Sequence, residues 1–180
     1  MSLFPAVISS SGTDVPAQDW VLVGQDIAPE GLSEDFFLTA ASEQTNFSGM
    51  RVVADLTITN GDNFLIYVPN GSVTASYEVE RVTASGVSRS LVSNGSLDYD
   101  NLNFYGRHLV TLDIFDDDIA GYKSRFTLSA IHIGSPTSYL MTTWRGVINT
   151  AVTTPQVSLL GSFDPGSMLR VYGIPEAVTP

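Results

Sequence analysis

From Met50 onward the chain alternates. Run after run places apolar residues at every second position, and a turn signal interrupts roughly every 8–15 residues. No segment sustains a 3.6-residue period. Successive side chains of a strand point to opposite faces, so alternation of this kind prescribes strands with one buried face. Residues 51–60 (RVVADLTITN) set Val52, Ala54, Leu56 and Ile58 on the buried side and Val53, Asp55, Thr57 and Thr59 on the other. Asn60-Gly61-Asp62-Asn63 is a strong hairpin signal, after which Phe64–Val68 returns. Further on, Val73, Ala75, Tyr77, Val79 and Arg81 share one face of a strand that Gly86 ends. His108, Val110, Leu112 and Ile114 share another, as do Phe126, Leu128 and Ala130. Residues 116–121 read as a loop, and Arg145-Gly146 reads as a break within 137–153. Earlier in the chain, 18–23 reads as a strand. The segment at Phe36–Ala40 fits a strand or a short helical turn capped by Ser33-Glu34-Asp35. The total is about ten to twelve strands with no repeat of propeller length.

This pattern predicts an all-β protein, a single-domain, jelly-roll-like antiparallel β-sandwich. Its expected parts are an extended N-terminal arm over 1–17, a sandwich over 18–175 and a short tail over 176–180. The arm reading rests on Leu3, Phe4, Val7 and Ile8, apolar residues with few polar anchors around them. Such a patch calls for a partner surface, so these four are the expected subunit contact, the alternative being a frayed terminus. An opening Met1 is expected of a whole gene product, and the stretch after it lacks the basic and apolar regions of a secretory signal.

Composition narrows the function classes. Of 180 residues, 43% are hydrophobic, enough for a core, while only 15% are charged against a usual figure of about 25%. Net charge is −11, and the eight Lys and Arg are scattered, so no direct nucleic-acid contact is expected. No run approaches the roughly 20 apolar residues of a membrane span, so no membrane partner is expected. The absence of cysteine removes disulfides and thiolate chemistry.

Residues that carry chemistry are thin. Asp116, Asp117 and Asp118 form the densest acidic cluster, a weak metal candidate. The D-x-[DN]-x-[DN]-G spacing of a calcium loop is absent, and consecutive aspartates point different ways. His108 and His132 both fall inside strand patterns, without an acid and a nucleophile beside them. No phosphate-cradling or nucleophile-elbow motif occurs. The expectation is therefore no enzyme and no cofactor. Trp144, between Thr142-Thr143 and Arg145-Gly146, and Tyr139 are the candidate surface aromatics. A core ring at a strand end is the plainer reading of Trp144.

The C-terminal block, residues 155–174 (PQVSLLGSFDPGSMLRVYGI), holds two strand-like runs around a proline–glycine turn. It predicts a hairpin or a corner between two sheets. Met168, Arg170, Tyr172 and Ile174 share one face of the second run, and Leu169 and Val171 the other. Phe163-Asp164-Pro165-Gly166-Ser167 followed by Val171-Tyr172-Gly173-Ile174 resembles the F-x-x-G-S…(L/V)-Y-G-I signature near the C-terminus of tailed-bacteriophage virion proteins, in heads and tails alike. That resemblance implies a β-sandwich or jelly roll and a structural place in the virion, assembled in the host cytoplasm, with no catalytic residues. Within that class it points to a capsid decoration or cement protein that binds between capsid subunits. Its expected partners are itself, as a homotrimer, and the major capsid protein or other virion proteins. The competing expectation is a tail or fibre module that binds host-surface glycans through exposed aromatics.

Overall fold

A computed structural model of the chain describes residues 20–28, 36–39, 47–58, 65–67, 75–95, 106–119, 122–135, 138–149, 156–160 and 163–175. Among these residues the protein is all-β and antiparallel, with eleven strands and no helix. The strands are β1 Val21–Ile27, β2 Phe36–Thr39, β3 Phe47–Ile58, β4 Leu65–Tyr67, β5 Ala75–Thr83 and β6 Gly86–Gly95, then β7 Gly106–Ile119, β8 Tyr122–Ser135, β9 Ser138–Ile148, β10 Gln156–Leu160 and β11 Met168–Pro175. Eight of them form one open sheet in the order β1-β11-β3-β7-β8-β9-β5-β6, and three form a second in the order β2-β10-β4. The expected arm at Leu3, Phe4, Val7 and Ile8 and the tail over 176–180 lie outside the described residues.

The large sheet is built on the meander β7–β8–β9. Its strands alternate strictly, and each buries its apolar set on the same face. Across the centre run Val52, Leu112, Leu128, Trp144 and Val79, directly opposite one another from β3 to β5. All five are buried. His108 and His132 sit on this face too, paired across β7 and β8 with their rings stacked 4.4 Å apart. Both are buried, as cross-strand structural histidines.

Three expectations change. The chain does not break at Arg145-Gly146, because β9 runs through to Ile148. Gly146 lies opposite Tyr77, and a Cβ there would collide with the Ser76 carbonyl and the Tyr77 backbone. The bare glycine leaves room for the Tyr77 ring, which stacks on Trp144 at 4.8 Å and meets Phe126 edge-on at 5.8 Å. The stretch 116–119 is strand rather than loop, since β7 continues to Ile119. The return expected over Phe64–Val68 is described only at 65–67, where β4 belongs to the small sheet and pairs with β10 rather than with β3. Of the two readings of the segment at Phe36–Ala40, the strand is borne out, as β2 over 36–39.

The C-terminal block makes a corner. Strand β10 pairs with β2 and β4 in the small sheet, whereas β11 pairs with β1 and β3 in the large one. The turn between them ties three strands together. The Asp164 N–H donates to the Thr57 carbonyl at 2.8 Å, and the Thr57 N–H donates to the Ser167 hydroxyl at 2.9 Å. The Ala28 N–H donates to the Ser167 carbonyl at 2.8 Å, and the Gly166 N–H donates to the Ala28 carbonyl at 3.1 Å. Gly166 adopts φ +83°, the left-handed region where a side chain is strained. Phe163 is buried in the core beside this knot, and the Phe47 ring lies against Gly173. Phe163, Gly166 and Ser167 thus have structural tasks at the join of β1, β3 and β11, and Gly173 and Ile174 are buried farther along β11.

Candidate functional site

The solvent-facing side of the large sheet carries the most distinctive surface. Residues opposite one another in an antiparallel ladder share a face, so the registers can be followed across all eight strands. One such row reads Ile27, Met168, Asp55, Leu109, Ile131, Met141, Val82 and Val87. Seven of its eight members are apolar, at strand spacings that add up to roughly 34 Å. Ile27, Leu109, Ile131, Met141 and Val87 are exposed. The exception, Asp55, is capped by Arg107, which donates to both carboxylate oxygens at 2.8 and 2.5 Å. Those hydrogen bonds hold the Asp55 carboxyl below its ordinary pKa, partial burial opposes them, and the charge of the guanidinium adds to the lowering.

Polar rows flank it. The nearest reads Gln25, Arg170, Val53, Thr111, Ser129, Thr143, Glu80 and Arg89. The next contains Arg51, Asp113, Thr127, Arg145, Glu78 and Leu91. Arg51 grips Asp113 through two nitrogens at 2.6 and 2.9 Å, and its guanidinium lies 4.6 Å from the centre of the Trp20 ring. That ring meets Phe115 edge-on at 5.8 Å. Trp20 is therefore a half-buried ring on the outer surface, just before β1. Glu78, Glu80, Arg89, Thr143 and Arg145 line an open cleft of about 230 Å³. Arg89 is held by Glu80 at 2.6 Å, and the two carboxylates and two guanidiniums balance in charge.

Among the sequence candidates, Trp144 is corrected. Its ring is only 3% exposed and packs into the core on Tyr77, because β9 turns that face inward. Tyr139 belongs to β9. Asp116, Asp117 and Asp118 lie in β7, and the exposed Asp116 accepts a hydrogen bond from the Ser124 hydroxyl at 3.1 Å. Among the described residues no cluster of three or more His, Cys, Asp or Glu is placed to hold a metal ion. Sequence reasoning missed the outer apolar row. Its members were visible singly, as apolar residues on the polar side of each strand, but only the register lines them up.

No protein-family model, curated protein or solved structure matches this chain.

Proposed function

We propose that the protein is a structural component of a tailed-phage virion, a capsid decoration protein that binds between capsid subunits and has no catalytic role. The observation that carries the reading is the C-terminal signature, whose residues do structural work. Phe163, Ser167 and Ile174 are buried, and the Asp164-Pro165-Gly166 turn joins two sheets. A motif spent wholly on architecture suits a family defined by a shared scaffold. The outer apolar row supports the same reading, since an apolar band on a sheet face, broken only by the Arg107-capped Asp55, is a surface suited to protein contact. In this reading the two sheets form a jelly-roll-like sandwich, and the N-terminal arm clasps a neighbouring copy in a trimer. The glycan-binding alternative loses its leading aromatic with the burial of Trp144.

Electron microscopy with an antibody to the protein, on particles released by the host that carries its gene, is the test. Labelled heads support decoration. Labelled tails move the protein to the tail, and particles without label overturn the virion reading.

A further inference from the structure

From β7 to β6 the outer apolar row runs without a polar member. Leu109, Ile131, Met141, Val82 and Val87 stand one on each of five neighbouring strands. Four of the five are exposed and Val82 is half-buried; Ile133, two residues from Ile131 on the same face, is exposed too. The carboxylates of this row and of the polar row nearest it are neutralised within the sheet, Asp55 by Arg107 and Glu80 by Arg89. The chain as a whole has a net charge of −11. Two copies therefore repel at long range, and an apolar stretch whose flanking carboxylates are paired is a surface on which they can meet. Its size is sufficient. The five strands are 9–14 residues long and about 4.8 Å apart, so their outer face spans roughly 24 by 30 Å. That is roughly 700 Å² per copy, close to the ~800 Å² that each partner gives to a specific interface.

We propose that two copies of this chain pack outer face to outer face, about a two-fold axis that lies in the contact plane along β9 at Met141. The arrangement follows from where the apolar stretch ends. Strand β9 is its middle strand, so this axis sets Met141 against its counterpart, Ile131 against the copy's Val82 and Leu109 against the copy's Val87. Asp55, one strand beyond Leu109, then falls outside the copy's apolar stretch. Its pair with Arg107 stays at the rim and escapes the desolvation cost of a buried ion pair. An axis along the row instead would set Asp55 against its own counterpart, a like-charge approach. Arg145, four residues along β9, would meet its counterpart if the strands of the two sheets ran parallel; the crossing of about 30° usual for packed sheets parts them. The contact is isologous, so it closes at two copies, making a dimer or joining two larger rings. Removal of the apolar row from water drives it. The inference names a second copy as the occupant of the row and goes beyond the virion reading without depending on it.

Light scattering of the full-length chain at high micromolar concentration is the test. The unmodified chain is expected to give twice the mass of Met141→Glu, which sets two carboxylates together on the axis. Leu22→Glu adds the same charge at an exposed position of β1, away from the contact, and is expected to leave the mass unchanged. Circular dichroism of both variants should match the unmodified chain. Raising NaCl from about 0.05 M to about 0.5 M should tighten the association several-fold, because salt screens the repulsion between two acidic copies and leaves the apolar contact intact. The chain has no cysteine, so a short bis-maleimide should link full-length Met141→Cys into dimers many times faster than Leu22→Cys. A monomer for the unmodified chain, a mass that Met141→Glu leaves as it was, equal effects at 141 and 22, or weakening by salt overturns the proposal. Labelled virion heads with a mass indifferent to Met141→Glu would leave the decoration reading standing and sink this one; the converse result would do the opposite.

Discussion

The hydroxyl of Ser167 is buried where three strands join, accepting the Thr57 N–H while the Ser167 carbonyl accepts the N–H of Ala28. Ser167→Ala leaves a buried backbone donor without its partner, which costs about 1–3 kcal/mol. Chemical denaturation should show a lower midpoint with an unchanged slope; an unaltered midpoint would mean that water replaces the hydroxyl. Gly146→Ala should cost at least as much, because the new methyl meets backbone as well as the Tyr77 side chain. The two tryptophans give a second check at this scale. Trp144 is buried and Trp20 is half-buried beside a guanidinium. Trp20→Phe should therefore leave a blue-shifted emission that acrylamide quenches poorly. Strong quenching in that variant would place Trp144 at the surface after all.

Between elements, β3 and β7 are joined on their outer face by two arginine–carboxylate pairs running in opposite directions, Arg51 to Asp113 and Arg107 to Asp55. A double-mutant cycle on the first should return about 0.5–1 kcal/mol, the range of a partly exposed pair. The second carries a pH signature. Because Asp55 is held below its ordinary pKa, the stability it contributes is fully present above the unfolded carboxylate value of about 3.9 and is lost as pH falls through the lower folded value. Arg107→Gln should then melt below the unmodified protein at pH 7, and the gap should close in strong acid. A gap that persists unchanged in acid would show that the guanidinium acts through packing. At this scale the sequence is readable for β3, β7 and β8, where Val52, Ala54, Leu56 and Ile58, then His108, Val110, Leu112 and Ile114, then Phe126, Leu128 and Ala130 each share a face that is buried. It misleads at β9, where Arg145-Gly146 looks like punctuation. The glycine there makes room for a ring from β5, a strand more than sixty residues earlier in the chain.

For the whole molecule, the two faces of the large sheet should respond differently to substitution. Leu128→Ala, on the buried face, should cost about 2–5 kcal/mol through the cavity it leaves. Ile131→Glu with Met141→Glu, one strand apart on the outer apolar row, should leave the melting temperature within a few degrees and, under the proposed virion function, abolish incorporation into particles. Retained incorporation would remove the row from the contact surface. The row itself could not be read from any one strand. Leu109, Ile131, Met141, Val82 and Val87 belong to five strands, and their alignment depends on four registers at once.

By itself the sequence determined the all-β class, the shared inward faces of β3 and β7, the acidic charge and a turn at Pro165-Gly166 that could make either a hairpin or a corner. These follow from local physics: side chains alternate along extended backbone, and proline and glycine restrict or free particular dihedrals. Tertiary structure alone decided which strands are neighbours and that β10 and β11 part into different sheets. Those outcomes depend on pairings between residues far apart in the chain, which local alternation permits in many combinations and only the packed molecule selects.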